Sequence, residues 1–167
     1  VELGFPLPAL ATEILTTTGH HLRERSPQRQ PLTEGRFEKV SMAGRPGFDA
    51  SLLLSAGEPG FGFEHGEVYS VHVGWSGNSV LSAERQPYTT GLIGGGEVLL
   101  GGEATLARGE TYTTPWLYGS YGDGLNEVAA RFHDYVRSCH PDLAVKPRPV
   151  ILNTWEAVYF DHDYDTL

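Results

Sequence analysis

Between Glu67 and Trp75 the chain alternates: Tyr69, Val71, Val73 and Trp75 fall on one side, Ser70, His72 and Gly74 on the other. Successive side chains of a strand point to opposite faces, so this is a half-buried strand with the Trp75 side in the core. A second alternation puts Tyr112, Trp116 and Tyr118 on one side of 111–118. It predicts another core-facing strand, because each buried aromatic removes roughly 150–250 Å² from water. Further short runs predict strands at 36–40, 49–55, 79–85, 96–100 and 104–107. Between them lie Gly44-Arg-Pro-Gly47, Gly57-Glu-Pro-Gly60, Gly77-Asn78, Gly101-Gly102 and Arg108-Gly109, all turn sequences. Gly91-Leu-Ile-Gly-Gly-Gly96 also reads as a β turn. Residues 12–33, with Arg23, Arg25, Pro27, Arg29 and Pro31, read as an extended edge strand or a long connection. Short strands at this spacing predict an all-β sandwich.

The period changes at Asp123. Leu125, Val128, Ala129, Phe132, Tyr135 and Val136 recur at three and four residues, which predicts one amphipathic helix over 123–138 that ends before Pro141. Residues 142–148 then read as a linker, with a boundary near 147. Val150, Ile151 and Leu152 form a continuous apolar run after Pro149, the pattern of a strand covered on both faces as in a parallel barrel. Asn153, Trp155 and Glu156 would stand at its carboxyl end, where barrel enzymes hold their substrates. The organisation expected is part of a sandwich over 1–120, a helix and connection over 121–147, and the first strand and truncated start of a barrel over 148–167. A chain that opens on Val1 and closes as Asp163-Tyr-Asp-Thr-Leu167 begins to resemble a capped helix start is expected to be a piece of a longer polypeptide.

Composition narrows the function. The chain has 21 glycines and 11 prolines in 167 residues, too many for a helical bundle. A formal charge of -9 with only 12 Lys and Arg argues against nucleic acid and leaves a neutral or sugar-like ligand open. Cys139 is the single cysteine, so no internal disulfide can form, which favours a reducing compartment such as the cytoplasm. No apolar run approaches the roughly eighteen residues of a membrane span, and Val1 to Ala11 lacks the basic start and long apolar core of a signal peptide.

The seven histidines fall in no ligand-spaced cluster, so no metal or other cofactor is expected. Asp161-His-Asp163 reads as solvent-facing caps. No Gly-x-Ser-x-Gly elbow is present, and Ser76-Gly-Asn78 reads as a hairpin connection. Asn153, Trp155 and Glu156 combine an amide, an indole and a carboxylate, the groups that bind a sugar's hydroxyls and its apolar face. The competing explanation is that Trp155 packs under a neighbouring loop while Glu156 pairs with an arginine.

Several motifs in order resemble the α-galactosidases of glycoside hydrolase family 36. They are Leu53-Leu54, Gly60-Phe-Gly-Phe63, Gly74-Trp-Ser-Gly-Asn78, Glu110-Thr-Tyr-Thr-Thr-Pro115, Gly124-Leu125, Arg131-Phe-His133 and Arg148-Pro-Val-Ile-Leu-Asn-Thr-Trp-Glu-Ala-Val-Tyr-Phe160. The resemblance implies an amino-terminal, galactose-mutarotase-like β-supersandwich, then a (β/α)8 barrel and a carboxyl-terminal β domain, with this chain as the later part of the sandwich, the linking helix and the barrel's first strand. It implies retaining hydrolysis of terminal α-linked galactose from oligosaccharides such as melibiose and raffinose, by two aspartates roughly 5 Å apart. Both would come from later barrel strands, so no catalytic residue is expected in this chain, and Asp161, Asp163 and Asp165 match neither aspartate motif. By the same resemblance Trp155 lines the galactose subsite, with Asn153 and Glu156 beside it or supporting it, and the parent enzyme is a homo-oligomer. Thr154 replaces the second Asn common in the family, and Arg45-Pro-Gly-Phe-Asp-Ala50 replaces a Ser-Ser-His pattern. Two alternatives stand beside this reading: a carbohydrate-binding sandwich displaying Trp75 and Trp116, and a scaffold for subunit contact.

Overall fold

A computed structural model describes residues 1–48 and 52–165. It divides into two compact units, Val1–His133 and Asp134–Leu167. The first is a sandwich of two antiparallel sheets. One sheet has the order β1 (Glu2–Leu7), β8 (Gly91–Glu97), β7 (Ser79–Arg85), β4 (Gly35–Ser41). The other runs β3 (Arg23–Pro31), β2 (Glu13–His20), β5 (Leu53–Gly57), β6 (Glu67–Val73), β9 (Leu117–Asp123).

Apolar residues at every second position close the space between the sheets. Ile14, Leu54, Ala56, Val71 and Val73 from one sheet meet Leu7, Leu81, Ala83 and Ile93 from the other. The expected side of β6 is therefore inside, although Trp75 lies past the strand's end and is 43% exposed. The opposite side of β6 is buried too: Val68 packs with Phe61 and with Val128 of α1 (Leu125–Cys139), where Phe132 and Leu15 complete a second cluster. Ser70 on this buried side shares a hydrogen bond of 2.6 Å with Ser55 of β5, which satisfies two hydroxyls that water cannot reach.

The expected strands at 36–40, 67–75 and 79–85 correspond to β4, β6 and β7. The strand expected at 49–55 is observed from Leu53 onward, while 49–51 lie outside the described residues, as does the Asp49-Ala50 end of the loop that opens at Arg45. Residues 12–33 form a hairpin, β2 and β3, with Pro27 and Pro31 on edge strand β3, where a missing amide donor is tolerated. The helix is observed at Leu125–Cys139.

Other expectations change. Gly91–Gly96 is not a turn but most of β8, an interior strand bonded to β1 and β7. A Cβ on Gly95 would stand 2.5 Å from the Val80 carbonyl oxygen and 2.9 Å from Val73 Cγ2, so close packing requires the glycine that also erases the hydrophobic signal. Residues 98–100 and 104–107 are irregular, as is 111–116. Trp116, expected in the core, is 75% exposed, because the ladder with β6 begins only at Leu117.

In the second unit a single 3₁₀ turn, Pro141–Ala144, follows α1, and residues 149–154 are irregular where a strand was expected. Val150 is 102% and Ile151 81% exposed. A parallel strand takes its hydrogen bonds from neighbours, and among the described residues this segment has none. Trp155 accordingly stands at the start of a short helix, α2 (Trp155–Val158), rather than at a strand's end. No helix of the described residues is long and apolar enough to cross a membrane.

Candidate functional site

Asn153, Trp155 and Glu156 occur together in the second unit, on one turn of chain. Asn153 Oδ1 accepts the Trp155 backbone amide at 3.0 Å, a local turn typical of Asn that holds Asn153 beside the first residue of α2. Glu156 projects from the first turn of α2 and is exposed. The helix ends after four residues because Tyr159 takes up a left-handed backbone at φ 49°, ψ -108°, with its amide donating to the Trp155 carbonyl at 2.9 Å. Such a conformation costs a non-glycine residue on the order of 1–3 kcal/mol and tends to occur where function demands it.

That reversal brings two further rings to Trp155. Phe160 stands with its centroid 5.0 Å from the indole at an interplanar angle of 89°, and Tyr159 at 5.6 Å and 77°. Near-perpendicular rings at these separations attract through their quadrupoles. Trp155 is 48% exposed among these residues. The sequence reading assigned no role to Tyr159 or Phe160; their spacing of four and five residues from Trp155 was the available signal. An open depression of about 580 Å³ is lined by residues 157–163, including Asp161, His162 and Asp163, and Trp155 is not on its wall.

The other candidate surface belongs to the sandwich. The Gly74 amide donates to the Trp116 carbonyl at 2.8 Å, which places Trp75 and Trp116 at the same end of β6 and β9. Nearby, the Tyr112 hydroxyl donates to Glu97 Oε2 at 2.7 Å. That bond to a carboxylate holds the Tyr112 pKa above the ordinary phenol value. Glu97 is buried, and its Oε1 has no hydrogen-bond partner among the described residues. Tyr112 also forms one wall of an open apolar cleft of about 440 Å³ shared with Leu99, Ala104 and Leu106.

Comparison with known proteins decides the family. The N-terminal domain of glycosyl hydrolase family 36 matches residues 1–107, and the Melibiase domain matches 111–167. The chain belongs to glycosyl hydrolase family 36. An α-galactosidase of Escherichia coli is 36% identical to this family 36 chain over 167 residues, 98% of the chain and 23% of that protein. The galactosidase domain of the α-galactosidase-sucrose kinase AgaSK superimposes with a TM-score of 0.83 at 29% identity, over 99% of this chain and 23% of that one. A variant of the α-galactosidase AgaA from Geobacillus stearothermophilus, solved in complex with raffinose, superimposes with a TM-score of 0.79 at 26% identity, over 96% and 22%. The family 36 chain thus spans less than a quarter of the length of these relatives, and both its sandwich and its Asn153–Phe160 block fall within the matched regions.

Proposed function

We propose that this chain supplies the later part of the supersandwich and the opening of the catalytic barrel of a retaining α-galactosidase that removes terminal α-linked galactose from oligosaccharides such as melibiose and raffinose. The observation that carries the reading is the Asn153-Thr-Trp-Glu-Ala-Val-Tyr-Phe160 block, lying inside the Melibiase match with a half-open indole at its centre. Trp155 offers an apolar plate to the galactose ring. Asn153 spends its carbonyl oxygen on the Trp155 amide, so its side-chain N–H groups are what it can donate to a sugar hydroxyl. Glu156, one residue on, adds an acceptor.

On this reading residues 149–152 become the first barrel strand once neighbouring strands bond to them. The nucleophile and the acid/base, roughly 5 Å apart as retention requires, come from barrel strands outside these residues. We also place the enzyme in the cytoplasm, since these 167 residues hold a single cysteine, Cys139, and expect it to work as a homo-oligomer.

The test is kinetic. In the complete enzyme, Trp155→Ala should raise KM and lower kcat for an aryl α-galactoside, a loss of transition-state stabilisation on the order of 1–3 kcal/mol through loss of the stacking surface. Unchanged kinetics would remove Trp155 from the site, and turnover by the 167-residue chain alone would contradict the placement of the aspartates.

The exposed Trp116, joined through its carbonyl to the Trp75 loop, favours a second reading in which the sandwich itself binds carbohydrate. That reading requires saturable galactoside binding by the sandwich that disappears on Trp116→Ala.

A further inference from the structure

We infer that Tyr159 and Phe160 are positioning residues that hold the Trp155 indole at one angle, so that its open surface is set for the sugar before the sugar arrives. The inference rests on the reading of Trp155 as a galactose-facing residue and extends it to two residues with no assigned role.

The geometry is unusual for neighbours in sequence. Consecutive side chains diverge by roughly 100° on a helix and point to opposite faces on a strand, so residues 159 and 160 would not ordinarily meet the same ring. Here they do, because the left-handed backbone at Tyr159 turns the chain between them. Both rings then stand nearly perpendicular to the indole, at 5.6 and 5.0 Å. A strained residue whose visible result is two rings against one indole is what preorganisation of a stacking surface requires. Without them Trp155 would be free to change rotamer, and binding would have to restrict it.

A double-mutant cycle in the complete enzyme tests this. Tyr159→Leu and Phe160→Leu should each reduce kcat/KM for an aryl α-galactoside about 3- to 10-fold, chiefly by raising KM, while Phe160→Tyr, which keeps the ring, restores the value. In a Trp155→Ala background the same leucine substitutions should change kcat/KM by less than about 2-fold, because the residue they act through is gone. Near-ultraviolet circular dichroism should show loss of a tryptophan band on Phe160→Leu that is absent in the Trp155→Ala background. If Phe160→Leu fails to fold, Phe160→Met keeps the apolar bulk without the ring and serves in its place. Leucine variants with wild-type kinetics, or losses that add fully in the Trp155→Ala background, would overturn the positioning role. If Trp155→Ala alone leaves kinetics intact, the galactose-facing reading falls. The dichroism band then shows separately whether the rings hold the indole.

Discussion

The Leu125 amide donates to the Gly62 carbonyl at 3.0 Å, and the next amide, Asn126, donates to Phe63 at 3.0 Å. The first amides of a helix have no partner within it, and here the Gly60-Phe-Gly-Phe63 loop supplies carbonyls for two of them. The Asn126 side chain adds a bond to Glu64, and Glu127 reaches back to the Asp123 amide at 2.8 Å. Motifs sixty residues apart in sequence are thus one structural joint, which fixes the start of α1 above β6.

Gly124 is the tightest point of that joint. Its φ is +88°, and a Cβ there would stand 2.4 Å from the Phe63 carbonyl oxygen. Gly124→Ala should therefore destabilise the fold by about 2–4 kcal/mol, combining backbone strain with overpacking. Gly60→Ala, at φ +78° with no atom within 4 Å of its Cβ, should cost only about 1 kcal/mol. Urea unfolding of the two variants separates the contributions, and equal losses would mean that the loop yields to the new methyl group.

Exposure predicts a different outcome for the tryptophan first expected in the core. Trp116→Ala should change stability by no more than about 0.5 kcal/mol, whereas Val71→Ala, between the sheets, should cost about 2 kcal/mol. Thermal unfolding midpoints measure the contrast.

Alkaline pH should weaken the sandwich through Tyr69. Its hydroxyl donates to Glu67, and that bond pushes its pKa up to about 12 from an ordinary 10.0, because ionisation would set two negative charges together. A folded-state pKa above the unfolded one means stability that is complete below pH 10 and is lost as pH rises toward about 12. Tyr69→Phe should flatten this part of the curve, as read by denaturant unfolding at a series of pH values.

Acid should act at Glu127 in the opposite sense. The Asp123 amide, and after it the Arg131 guanidinium, hold its carboxyl below the ordinary value of 4.5. Stability from this group is present above pH 4.5 and is lost as pH falls through the lowered folded-state pKa. Glu127→Gln should remove that pH dependence, and salt should weaken the Arg131 share because the pair is exposed.

Particular residues show where the sequence could be read and where it could not. The Tyr69, Val71, Val73 alternation disclosed β6, and the three- and four-residue spacing from Leu125 to Val136 disclosed α1, because in each the side chains themselves carry the period. β8 stayed hidden, since a strand containing Gly94, Gly95 and Gly96 has almost no side chains with which to display one. Tyr112 and Trp116 misled for the converse reason: alternating aromatics state which side they share and nothing about what lies opposite. At the candidate site Asn153, Trp155 and Glu156 were legible as residue types suited to sugar, but the approach of Tyr159 and Phe160 to the indole was not.

The sequence by itself determined the all-β class, the helix after the sandwich and the block of residues that marks the family, because these reside in local periodicity and residue chemistry. Only the tertiary structure decided which glycine run is an interior strand, which tryptophans face water and which rings meet Trp155. Those outcomes depend on backbone approach and on one left-handed residue, neither of which leaves a period in the chain.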